Sequence, residues 1–199
     1  MGRSLRIVEV GNDLLQFQFP TEFQLQWVLD NGPWAFDNNL LVLYRWDKGM
    51  NTFSVTLTHA QFWVQVWGLP FDLMTPKIRT LVRNSMGRCL QVDGRTEQSE
   101  QTWFLCVRVE LPLYKPLRRG GHFTSPEGEQ YWADYRYERF PFFCFRFGLL
   151  GHEARHCPSL TMDTSQYGAW LRADGASRKV HPPYHSASLP PSKGTPVSG

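Results

Sequence analysis

Long apolar runs are missing from this 199-residue chain. The longest, such as residues 40–44, fall far short of the roughly 20 residues a membrane helix needs. No membrane partner is therefore expected. The opening MGRSLRIVEV has no apolar signal core followed by a small-residue cleavage site, so we expect an intracellular protein, nuclear or cytoplasmic. Met1-Gly2 echoes a myristoylation start, but Arg6 stands where Ser or Thr belongs. Cysteine is scarce: four residues, too sparse for a secreted disulfide scaffold. The sequence also lacks the paired Asp run of a polymerase and the glycine loops that cradle phosphate. His59, His122 and His152 stand near no nucleophile or carboxylate pair of a known pattern. We read the chain as non-enzymatic.

What the chain does contain is enough apolar residue for a core, 42% against 20% charged. Its net charge of +3 is unevenly spread. The positive excess follows residue 60, with clusters at Lys77, Arg79, Arg83, Arg88, Arg95 and at Lys115, Arg118, Arg119. Phosphate binding needs such clusters, although each alone also fits a solvated face.

Four regions are expected: a truncated first α/β unit at 1–57, a second unit at 58–140, a cysteine–histidine cluster at 141–158 and a disordered tail at 159–199. In the first unit, residues 13–19 (DLLQFQF) read as a strand. Thr21 caps a helix by accepting from the N–H of Gln24, Asn31-Gly32-Pro33 stops it, and residues 40–46 (LLVLYRW) read as a buried strand. In the second unit, residues 62–67 (FWVQVW), 89–92, 103–111 and 131–139 read as strands. Thr75-Pro76 starts a helix there, with Ile78, Leu81, Val82 and Met86 on one face. Arg118-Arg119-Gly120-Gly121 reads as a loop. The tail is rich in Ser, Pro and Gly and buries too little apolar surface to offset ordering entropy.

The second unit runs strand, helix, strand, strand, as an RNA recognition motif begins. The expected fold class is thus α+β, an RNA-recognition-motif-like (ferredoxin-like) antiparallel sheet with packed helices. Side chains alternate along strands. If the aliphatic faces pack on the helix, Trp63, Trp67, Phe104 and Arg108 share the other face. Rings there would stack on bases and Arg108 would meet phosphate or stack. The competing reading is that the first unit or residues 131–139 cover that face and make the rings core.

Cys144, His152 and Cys157 have the spacing of a C-x2-C-x4-H-x4-C zinc knuckle at three of its four ligands. Position 147 is Phe147, which supplies no ligand. Gly148 and Gly151 match the tight turns of such a knuckle. His156 is a substitute ligand if the turn rearranges. Losing a thiolate removes much of the binding energy, so zinc is expected to be weak or absent.

The run Leu29-Asp30-Asn31-Gly32-Pro33-Trp34-Ala35-Phe36-Asp37, with Leu40-Leu41-Val42-Leu43 and Arg45-Trp46, resembles a plant family of domains of unknown function. So do Phe62-Trp63-Val64-Gln65-Val66-Trp67-Gly68-Leu69-Pro70, Lys115-Pro116-Leu117-Arg118-Arg119-Gly120, and Tyr137-Glu138-Arg139-Phe140-Pro141 leading into the knuckle. That family occurs in LINE-type retrotransposon proteins, upstream of a CCHC knuckle. The resemblance spans about residues 5–158. It implies nucleic-acid binding through the knuckle and no established catalysis. This chain departs from it at Phe147 and in a first unit that lacks the family's preceding strand and helix.

The expected partner is single-stranded nucleic acid, RNA over DNA. Lys115, Arg118, Arg119, Arg146 and Arg155 would meet phosphates, while Phe145 and Phe147, with the open sheet face, would meet bases. The alternatives are a protein-interaction or self-associating assembly module that has lost nucleic-acid binding, and a non-functional relic.

Overall fold

The computed structural model describes residues 4–70, 73–75, 80–82, 85–93, 103–157 and 166–173. Residues 4–57 build two small hairpins around one helix. β1 (Arg6–Gly11) pairs antiparallel with β2 (Leu14–Gln18). Asn12 and Asp13 both take positive φ between them, the backbone twist that short hairpin turns favour. Helix α1 (Glu22–Asp30) starts where Thr21 Oγ1 accepts from Gln24 N at 3.3 Å and ends at Asn31, whose N–H bonds Trp27 O. β3 (Trp34–Phe36) and β4 (Asn39–Leu41) then pair around Asp37 and Asn38, again both at positive φ.

The expected buried strand at 40–46 shrinks to β4, and none of those residues is buried. The reason is that this region has almost no core of its own. Among residues 4–57 only Pro33 is buried, so apolar residues there face no packed second layer.

The core lies in a five-stranded antiparallel sheet of order β6-β7-β5-β9-β8. Its strands are β5 (His59–Trp67), β6 (Arg88–Val92), β7 (Phe104–Pro112), β8 (Gly120–Thr124) and β9 (Gln130–Tyr137). Strict alternation puts Phe62, Val64, Val66, Leu105, Val107, Val109, Ala133, Tyr135 and Tyr137 inside. Each fully buried Val contributes roughly 1.5–3 kcal/mol. Residues 80–82 and 85–86 are helical, and Val82 and Met86 reach the core. Leu81, expected beside them, is 49% exposed: its neighbour Val82 takes the inward direction. Pro76 and Ile78 lie outside the described residues.

The chain is therefore α+β and mainly antiparallel sheet. Between β7 and β9, where an RNA-recognition-motif-like arrangement carries its second helix, it forms β8 instead. Gly120 and Gly121, expected in a loop, open that strand. A Cβ at Gly120 would collide with the indole of Trp132 and the carbonyl of Ala133 across the ladder.

Part of the stretch expected to be disordered is ordered. Leu171 is fully buried in the core, and Ala173 N donates to Tyr137 O at 2.9 Å. Tyr167 lies against Gly148. The reason is local composition: Tyr167, Trp170 and Leu171 give this short segment apolar anchors that the polar average conceals. Residues 158–165 and 174–199 lie outside the described residues.

Candidate metal centre and nucleic-acid interface

The cysteine–histidine cluster folds as one turn on the end of the sheet. Phe143 and Leu150 form an antiparallel bridge. Cys144 N donates to Leu149 O at 2.8 Å, and Gly148 N donates to Cys144 O at 2.7 Å. Gly148 (φ 68°) and Gly151 (φ 94°) take the left-handed conformation that lets so tight a reversal close. A 3-10 turn, Ala154–His156, then brings Cys157 back.

The ligand atoms of Cys144, His152 and Cys157 consequently lie within 4.8 Å of one another. Around zinc, neighbouring sulfur and nitrogen ligands sit about 3.4–3.8 Å apart, given bonds of about 2.0–2.3 Å. Small side-chain rotations close that difference. Both thiols are free, and Cys144 is fully buried. His152 Nε2 is buried without a hydrogen-bond partner, the one such side-chain atom among the described residues. A buried imidazole nitrogen left unpaired beside two thiols is what a metal ligand looks like before the ion arrives. The donors fit a zinc-class ion through three protein ligands.

Phe147, at the fourth ligand's place, is half-buried. His156, the expected substitute, is exposed and outside the converged group.

The basic loop abuts this turn. Leu117 is buried and its N–H donates to Gly148 O at 2.8 Å. The neighbouring backbone is pinned to β9: Arg118 O accepts from the Tyr137 hydroxyl at 2.7 Å, and Arg119 O accepts from Tyr135 N. Lys115, Arg118 and Arg119 themselves are exposed. Phe145 is 41% exposed and packs its ring on Phe143. Arg146 is half-buried; Arg155 is exposed and paired with Glu153.

The sheet face opposite the core divides into two halves. At one end Arg108 is only 5% exposed. It donates to Asp30 Oδ1 at 3.1 Å, to Gln61 Oε1 at 2.6 Å and to Leu29 O. The C-terminal end of α1, with its free carbonyls, has captured this cation. Arg108 therefore does not face solvent as expected, and Trp63, its partner on β5, is half-buried. At the other end Phe104 is buried, stacked on Trp67 at 4.6 Å.

Three residues that the sequence reading missed complete that open half. The Arg136 guanidinium lies 4.6 Å over the Trp67 ring. Trp132 is 43% exposed, hydrogen-bonded to Asp134 and edge-on to His122. Alternation along residues 131–139, registered against β5, would have put Trp132, Asp134 and Arg136 beside Trp67.

Comparison with known proteins finds two family matches. Residues 111–159 match a family described as Zinc knuckle. Residues 1–54 match one described as Domain of unknown function (DUF4283). The chain is similar to "Uncharacterized protein At4g02000" of Arabidopsis thaliana, at 25% identity over 131 residues. That alignment covers 66% of this chain and 41% of the relative's length. No solved structure matches. The knuckle match begins well before Cys144 and takes in Leu117, whose N–H bonds the turn at Gly148 O, and the β8–β9 hairpin.

Proposed function

We propose that this chain is a non-catalytic binder of single-stranded nucleic acid, RNA in preference to DNA, descended from a LINE-type retrotransposon protein. The observation that carries the reading is the knuckle turn itself. Cys144, His152 and Cys157 converge on a site for a zinc-class ion, and the basic loop at 115–119 is hydrogen-bonded to the same turn. The loop that carries the cations Lys115, Arg118 and Arg119 is thus bonded to the turn that carries Phe145 and Arg146. Single-stranded RNA is read by that combination, since splayed bases stack on aromatic rings while the backbone meets positive charge. The open half of the sheet, with Trp67, Arg136 and Trp132, offers a second stacking platform. The strand–helix–strand–strand order of β5 to β7 supports an RNA-recognition-motif ancestry for that sheet.

The test is binding of RNA and single-stranded DNA oligonucleotides by the full chain at two salt concentrations. Affinity should fall as salt rises, with a logarithmic slope of about −0.7 per phosphate contact. Replacing Lys115, Arg118 and Arg119 together by Ala should flatten that slope by about 2. Binding that ignores both salt and the triple substitution would sink the reading.

A second reading has its own observation. The first unit leaves Phe23, Phe36 and Phe53 more than three-quarters exposed. It also holds a largely apolar groove of about 470 Å³ between its hairpins and residues 41–57. A protein-interaction module needs such a surface. Loss of solubility-limiting self-association on Phe36→Ser, with RNA affinity unchanged, would favour it.

A further inference from the structure

The three converged ligands leave one tetrahedral vertex without a protein donor. Structural zinc sites close with four side chains, whereas sites with three keep the last position for an outside donor. Here the residue at the missing ligand's place, Phe147, has no lone pair to give. His156 is exposed and outside the group, and no other His, Cys, Asp or Glu joins it among the described residues. Glu153, the nearest carboxylate in sequence, is held by Arg155.

We propose that Cys144, His152 and Cys157 hold a zinc-class divalent ion in an open, three-ligand form, whose fourth position takes a low-molecular-weight thiolate. Two observations choose this ligand class. Two thiolates and an imidazole make a soft-to-borderline donor set, which accepts a further sulfur readily. The near side of the site is apolar: Cys144 is fully buried beside the buried Phe143, which bridges to Leu150. A polarisable thiolate tolerates such a setting better than hydroxide does. Binding forms one metal–sulfur bond, displaces one water and releases the thiol proton to solvent. The proposal rests on the metal part of the reading above and is independent of nucleic-acid binding.

Cobalt(II) substitution tests it on the full chain. Co(II) bound by two thiolates absorbs in the near ultraviolet through sulfur-to-metal charge transfer. Titration with 2-mercaptoethanol should raise that band about 1.5-fold, as thiolate ligands go from two to three, with cobalt still bound one-to-one after gel filtration. Phe147→Cys should show the higher band with no added thiol and no further rise on titration. Should that variant fail to fold, zinc-edge X-ray absorption of the unmodified protein counts sulfur ligands directly, two before thiol and three after. A spectrum unchanged by thiol, loss of the ion to the thiol, four protein ligands from the outset, or no metal binding at all each overturns the proposal. The first three leave the metal part of the function reading intact, while the last removes that part as well.

Discussion

Replacing Arg108 separates two accounts of the sheet face. Its guanidinium is buried, yet it binds the C-terminal end of α1 through Asp30 and Leu29 and also reaches Gln61. Arg108→Met keeps the stem and removes the charge. Three charge-assisted hydrogen bonds are lost, each worth about 1.5–3 kcal/mol before compensation. Against that, the cost of burying the guanidinium is recovered, and Gln61 is exposed enough to bond water. The expected net loss is about 1–3 kcal/mol. Asp30→Asn should cost less than about 1 kcal/mol, because the Asp30 side chain is 50% exposed and the pair is screened. Urea unfolding of both single variants and the double variant would measure the coupling. RNA affinity at two salt concentrations would be measured alongside. The reasoning predicts lower stability and an unchanged salt slope. A normal urea midpoint with a slope flattened by about 0.7 would refute it, and would place Arg108 on phosphate instead.

Three other outcomes are expected. Leu171→Ala should cost about 2–4 kcal/mol in urea unfolding, because a fully buried leucine leaves a cavity; a change near zero would show that 166–173 is not part of the fold. Gly148→Ala should lower the thermal midpoint, since a Cβ there meets the Tyr167 ring and φ is 68°, and Tyr167→Ala should restore only the steric part. Burial pushes the Tyr137 hydroxyl well above tyrosine's ordinary 10.0, and burial also raises Tyr135 despite its hydrogen bond with Ser85. Unfolded tyrosines release protons near pH 10 while these hold theirs, so stability is intact below about pH 10 and falls as pH climbs toward the folded values. Urea midpoints measured from pH 8 to 11 should show that decline, and Tyr137→Phe should reduce it.

Alternation made the sheet legible. Val64, Val66, Leu105 and Val107 are placed by a period of two, and burial of one face enforces it. The same local logic held for Thr21, whose oxygen had one N–H within reach. The convergence of Cys144, His152 and Cys157 was legible because their spacing is short and the turn between them is set by two glycines. Long-range competition was not. Nothing local says that the end of α1, 78 residues away, takes Arg108 from solvent. Nor does composition reveal that one leucine in a polar tail fills a core site. Residues 40–46 misled for a related reason. Their apolar run has the content of a buried strand, but the first unit supplies no layer to bury it.

The bonding of the knuckle turn to the sheet bears on mutational robustness. An isolated knuckle is too short to hold its shape without an ion, so losing a ligand unfolds it. Here Phe143 and Cys144 are core residues, Leu117 grips the turn through Gly148, and Tyr167 covers it from the other side. The shape is thus underwritten by the sheet before any metal binds. A chain built this way survives a substitution such as the phenylalanine at 147 with its backbone intact. Position 147 is free to change without taking the turn with it.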